Sequence, residues 1–140
     1  MKDNIIIRES VNLLTPAIML FALYVQFHGD FGPGGGFQAG VIFAAGFILY
    51  AMVHGLQQAL HVIPMSWVIS GLCAGLLIYA GVGYVSLFMG KTYLDYSVLA
   101  GTFEGGQHLG IFLVELGVGI TVSSAMIAIY YAFTAWKQEQ

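Results

Sequence analysis

Four long apolar blocks dominate the chain. Residues 11–27 (VNLLTPAIMLFALYVQF) carry no charge. At about 1.5 Å per residue they nearly cross a hydrocarbon core of about 30 Å. Residues 37–60 form a second block that turns polar at His54, Gln57 and Gln58. Residues 62–89 form a third, opened by Pro64 near the first turn of a helix, where a missing N–H costs least. Residues 109–133 form the fourth and hold a single charge, Glu115. The pattern predicts an all-α, polytopic membrane protein with four transmembrane helices in one membrane domain over residues 1–140. Lys2 and Arg8 precede the first block as they would in a signal peptide. Phe27, His28 and Asp30 follow it where cleavage needs small residues, so the block is expected to stay as an anchor.

Composition sharpens this reading. Hydrophobic residues make up 59% of the chain, against roughly 45–50% apolar residues in soluble domains on a count that includes glycine. Charged residues make up only 8%, far below the roughly 25% that keeps a soluble surface wet. A soluble globule is excluded. Nucleic-acid binding is excluded as well, because Lys2, Arg8, Lys91 and Lys137 are scattered and the net charge is −3. The lone Cys73 builds neither an intramolecular disulfide nor a cysteine metal cage. No catalytic, cofactor or metal constellation emerges. The serines (Ser70, Ser86, Ser97, Ser123, Ser124) lack a nucleophile elbow and a paired histidine. A b-type haem would need His28 and His108 to meet across helices, yet both stand near the aqueous boundary.

The distribution of Lys and Arg near span ends sets an expected orientation. With both termini cytoplasmic, Lys2, Arg8 and Lys137 lie inside and only Lys91 lies outside. The loops 28–36 and 90–107, with Asp30, Asp95 and Glu104, then face outward, and the turn at His61 faces inward. Segments 35–40 and 105–110 echo one another faintly, each introducing a helix that enters from the outer side.

Small residues punctuate the spans: Gly40 with Ala44, Gly71 with Gly75, and Gly81, Gly83, Gly117 and Gly119. In lipid such positions let backbones approach and gain van der Waals contact. Gly71 and Gly75 match the small-xxx-small pattern, although 19 glycines make chance matches common. Four helices do not easily enclose and gate a water-lined path. The chain is therefore expected to act beside other membrane subunits, within the lipid bilayer.

Glu115 is the sharpest chemical feature. It stands six residues past Leu109, about 9 Å into the fourth span, where a lipid-facing carboxylate is unfavourable. It should face protein or water. One reading makes it a proton or cation site; the other makes it a hydrogen-bonded carboxylate that holds helices together. His108 precedes it by two helical turns, either extending a polar stripe from the outer surface or marking the helix start at headgroup level. Between the first two spans runs His28-Gly29-Asp30-Phe31-Gly32-Pro33-Gly34-Gly35-Gly36-Phe37. So many glycines around a proline break the helix and let other backbones come near. Phe31 and Phe37 around these glycines suggest a packed turn. No Lys-Ser/Thr follows, so this is no phosphate loop.

The stretch HGDFGPGGGFQAGVIFAAGFIL, residues 28–49, resembles the signature of the MnhB family, one of the small membrane components of the multisubunit, Mrp-type sodium/proton antiporters. The core Pro33-Gly34-Gly35-Gly36-Phe37-Gln38 carries the resemblance, which extends over most of the chain. It departs at Asp30, where relatives often carry His, and at Ala39, where they often carry Gly. The resemblance implies a small, multi-pass component of a prokaryotic cell-membrane complex that exchanges Na⁺ for H⁺ and is related to the membrane arm of respiratory complex I. On that basis Glu115 is the leading candidate for direct involvement in an ion path. His108, Asp30 and His28 would lie toward its outer mouth, with Pro33, Gly34, Gly35, Gly36 and Phe37 as a packing loop. An equivalent subunit of a redox-driven hydrogenase or related ion pump is the alternative, since the shared subunit carries no redox cofactor.

Overall fold

The computed structural model describes residues 5–29 and 34–138. Its helices are α1 (Ile5–Phe27), α2 (Gly36–His54), α3 (Leu56–Val62), α4 (Met65–Phe88) and α5 (Phe103–Gln138), with one 3₁₀ turn at Tyr96–Val98 before α5. Among the described residues there is no strand. Four of the helices, α1, α2, α4 and α5, are long and apolar enough to cross a membrane. The fold is thus all-α, with four candidate spans.

Of the boundaries that differ from those expected, three differ most. Helix α1 starts at Ile5 rather than residue 11, because IIIRES contains no helix breaker and its Arg8 and Glu9 stay exposed. Pro16 lies inside α1 without ending it. Helix α2 stops at His54 instead of running to residue 60. Gly55 adopts φ 92° and its N–H bonds the Ala51 carbonyl at 2.9 Å, a left-handed termination that glycine permits without a Cβ penalty. The polar residues Gln57, Gln58 and His61 then fall on the separate short helix α3, and Pro64 caps the start of α4 with φ −67°.

The third difference is in α5, which begins at Phe103 rather than residue 109. The Thr102 hydroxyl accepts from the Gly105 N–H at 3.2 Å and the Thr102 carbonyl accepts from Gly106 N–H at 3.0 Å, which together start the helix within a glycine-rich segment. Its 36 residues extend about 54 Å at 1.5 Å per residue, well beyond one hydrocarbon thickness.

The helices stand in the order α1, α2, α5, α4, and each packs mainly on its neighbours in that row. Glycine sets the close approaches. A Cβ built on Gly40 of α2 would lie 2.7 Å from the Gly119 carbonyl oxygen of α5, and one built on Gly75 of α4 would lie 2.6 Å from that of Gly117. Successive helical residues are turned by about 100°, so Gly117 and Gly119 point to nearly opposite sides of α5. One therefore admits α4 and the other admits α2. The Gly71 and Gly75 pair thus packs within the chain, against Ser124, Thr121 and Gly117.

The core lies toward the end of the bundle that carries α3. Ala44, Phe47 and Ala51 of α2 meet Leu56 and Ala59 of α3, Val68 of α4, and Ile127 and Tyr131 of α5. The Tyr131 hydroxyl reaches the Ile63 carbonyl at 2.8 Å and the Ala59 carbonyl at 3.1 Å, tying α5 to the α3–α4 junction. At the other end, the segment between α4 and α5 folds onto α5, where Tyr96 covers Gly106 and Gly110. Ser86, fully buried in α4, donates to the Asp95 carbonyl at 2.9 Å. Asp95 Oδ1 accepts from the Ser97 N–H at 3.1 Å and its hydroxyl at 2.6 Å, and these bonds hold its carboxyl below the usual aspartate range. Burial pushes the Tyr96 phenol up.

Candidate functional site

Helices α2 and α5 run parallel, since Gly36 meets Glu115 and Gly40 meets Gly119 at the same four-residue spacing on both helices. The contact at Gly36 is between backbones. A Cβ there would collide with the Glu115 carbonyl. This approach brings the Glu115 side chain over the entrance of α2. Its Oε1 lies 2.8 Å from where a Gly35 Cβ would stand and 3.1 Å from where a Gly29 Cβ would stand, with Oε2 nearer still to Gly29. The carboxylate therefore sits between the end of α1 and the start of α2.

Gly35 is the N-cap of α2 and, as glycine, offers no side-chain cap. The first N–H groups of a helix have no intrahelical acceptor and carry its partial positive charge. A carboxylate from α5 placed beside this uncapped end meets the groups that favour negative charge. Glycine at 29, 35 and 36 is what leaves room for it.

The expected residues are only partly assembled. Glu115 meets Gly29, Gly35 and Gly36; His28, which precedes Gly29 in sequence, ends the α1 turn and stacks on Tyr24 with ring centroids 4.2 Å apart. His108 lies on α5 two turns before Glu115 and is exposed, beyond the level at which α2 begins. It no longer marks the helix start, because α5 begins five residues earlier. Phe37 is 60% exposed, and the close contact at the entrance of α2 is made by the Gly36 backbone. Asp30, Phe31 and Pro33 lie outside the described residues. The His54 ring stacks on Tyr50 at 4.2 Å and its Nδ1 lies 3.1 Å from the Tyr50 carbonyl, while His61 is exposed on α3 beyond the break at Gly55.

One polar residue of this region is not singled out by the sequence. Gln26, in the last turn of α1, is 5% exposed and its Oε1 packs on Gly119 of α5. A search for charges passes over it, since an amide inside an apolar run carries none. The available signal is its position three residues before Gly29.

Comparison with known proteins bears on the whole chain. A family model described as a domain related to the MnhB subunit of Na⁺/H⁺ antiporter matches residues 6–128. A Staphylococcus haemolyticus protein is 33% identical over 141 residues, covering 98% of this chain and 99% of its own length. Proteins of Staphylococcus epidermidis and Staphylococcus aureus are 32% and 30% identical with the same coverage. All three bear the provisional name antiporter subunit mnhB2. With a match over most of the chain and relatives of nearly equal length, this protein belongs to the family of domains related to the MnhB subunit of Na⁺/H⁺ antiporters.

Proposed function

We propose that this chain is a membrane subunit of a multisubunit Na⁺/H⁺ antiporter, and that Glu115 exchanges protons or cations on a path entering beneath the glycine loop. The observation that carries the site assignment is the Glu115 carboxylate beside the uncapped N-terminus of α2. A carboxylate there is placed to hold negative charge in a largely apolar bundle, and such ionisable residues mark ion pathways. His28 stands toward the outer mouth of this path, and Asp30, outside the described residues, is placed there by its sequence position alone. The four helices pack as a row, α1, α2, α5, α4, and in this reading other membrane subunits complete the path. The similarity to subunits of Staphylococcus species supports a prokaryotic cell membrane as its location, and three of the four Lys and Arg residues lying near the termini favour both termini being cytoplasmic.

The test is Glu115→Gln in the native complex, with Na⁺-dependent proton exchange read in everted vesicles and subunit composition read on the purified complex. Exchange should fall on the order of a hundredfold, the low end of what a positioned proton-transfer group contributes, and Glu115→Asp should restore part of it. A complex that loses subunits would make Glu115 a structural carboxylate. Unchanged exchange would remove it from the path. The wild-type chain, reconstituted alone into liposomes, should be inert.

A further inference from the structure

Gln26 is buried in the last turn of α1, yet its Nε2 has no hydrogen-bond partner among the described residues. A bilayer offers that N–H no acceptor, so an orphan donor at this depth is unfavourable unless something polar reaches it. The side chain lines a cleft of about 220 Å³ between α1, α2 and α5. Phe43 and Leu116 form part of its walls, and Ala39, Gly40 and Gly119 keep it open by their small size. Ser123 also lines it; the hydroxyl donates to the Ile120 carbonyl at 3.1 Å, which leaves its lone pairs able to accept.

The cleft lies directly inward of Glu115. Gly29, which the carboxylate touches, is three residues after Gln26, and Gly119, which the amide touches, is four residues after Glu115. Along both α1 and α5 the amide is therefore about one helical turn, about 5 Å, deeper than the carboxylate. We propose that this cleft is a water-binding site, in which the Gln26 amide donates to bound water that in turn donates to Ser123 and exchanges protons with Glu115. The inference rests on the reading of Glu115 as an ion-path residue. Water occupies about 30 Å³ in the liquid, so the cleft holds several molecules; the Gln26 amide and the Ser123 hydroxyl that line it supply the polar partners a buried water needs, and further water at its outer end leads to Glu115. An acyl chain would fill the same space but leave the amide unsatisfied. Held by few groups among apolar walls, such water exchanges readily, as a proton relay requires.

The experiment uses the native complex in nanodiscs. Radiolytic hydroxyl-radical labelling, read by mass spectrometry, should modify Phe43 and Leu116 well above Leu76 and Leu77, which are exposed on α4 and outside the cleft. In Gln26→Leu, the excess at Phe43 and Leu116 should disappear and Na⁺-dependent proton exchange should fall severalfold with the complex intact, while Gln26→Asn should retain part of both. No excess labelling in the wild-type complex overturns the proposal, as does undiminished exchange in Gln26→Leu; a lipid chain or a neighbouring subunit then fills the cleft. If Gln26→Leu fails to assemble, labelling of the wild-type complex decides. Glu115→Gln measured alongside separates the two readings: lost exchange there with normal Gln26→Leu removes the relay alone. Normal exchange in Glu115→Gln removes the ion-path role of Glu115 and with it the relay.

Discussion

The Glu115 carbonyl of α5 lies against the α-carbon of Gly36, the first residue of α2, with no space for a side chain between them. That single approach fixes how deep α2 starts along α5 and delivers the neighbouring carboxylate to the end of α2. Its energetic weight is testable.

Gly36→Ala should force α2 away from α5, at a cost of about 1–3 kcal/mol or more, as over-packing of a close contact does. Gly81, on α4, has nothing within 4 Å of a built Cβ, so Gly81→Ala should be neutral within about 0.5 kcal/mol. Thermal release of this subunit from the purified complex, followed by gel shift, should separate the two. Equal behaviour of both variants would mean that the α2–α5 approach is not tight.

Tyr131→Phe keeps the ring in the core and deletes only the hydroxyl that reaches the Ile63 and Ala59 carbonyls. The expected loss is about 1–3 kcal/mol, chiefly for the Ile63 carbonyl left short of a donor. Because the Ile63 N–H bonds the Ala59 carbonyl at 2.9 Å, the α3–α4 junction should open locally. Hydrogen exchange should speed up at Ile63 before it does in α2. Unchanged exchange at Ile63 would show that the hydroxyl does not hold this junction.

The Asp95 turn gives a pH prediction. Hydrogen bonds from the Ser97 hydroxyl, and then from its backbone N–H, hold the Asp95 carboxyl below its ordinary 3.8. The depressed folded value means that the turn gains stability above about pH 3.8 and loses it as pH falls through the lower folded value; alkaline pH leaves it unaltered. Pepsin, which works in this range, should cut the segment 92–99 increasingly below that point. In Asp95→Asn, whose amide oxygen still accepts but has no charge to lose, cleavage should show no such pH step. A step of equal size in both chains would rule Asp95 out as its cause.

Much of this architecture is written locally. Uncharged runs long enough to cross a bilayer announce α1, α2, α4 and α5, because burial of apolar surface in lipid depends on composition and length. Glycine clustered around Pro33 announces a break between the first two spans, and one carboxylate in the fourth announces a place where lipid is excluded. The misplaced boundaries share a physical cause: they depend on single backbone conformations. The stop at Gly55 needs one left-handed residue inside a hydropathic stretch. The early start of α5 needs Thr102 as a cap and Tyr96 laid over Gly106 and Gly110, without which that segment reads as a loop.

The residues alone determined that the chain lives in a membrane, that its helices pack through small side chains, and that Glu115 must avoid lipid. Only the tertiary structure decided which small residues meet, placing Gly117 toward α4 and Gly119 toward α2 on opposite sides of one helix. It also decided that Glu115 stands beside the start of α2 and that the neutral Gln26 lies about one helical turn deeper. Hydropathy records how a residue partitions between water and lipid. Which partner stands opposite depends on the phase and depth at which two helices cross, a property of the pair and of neither helix alone.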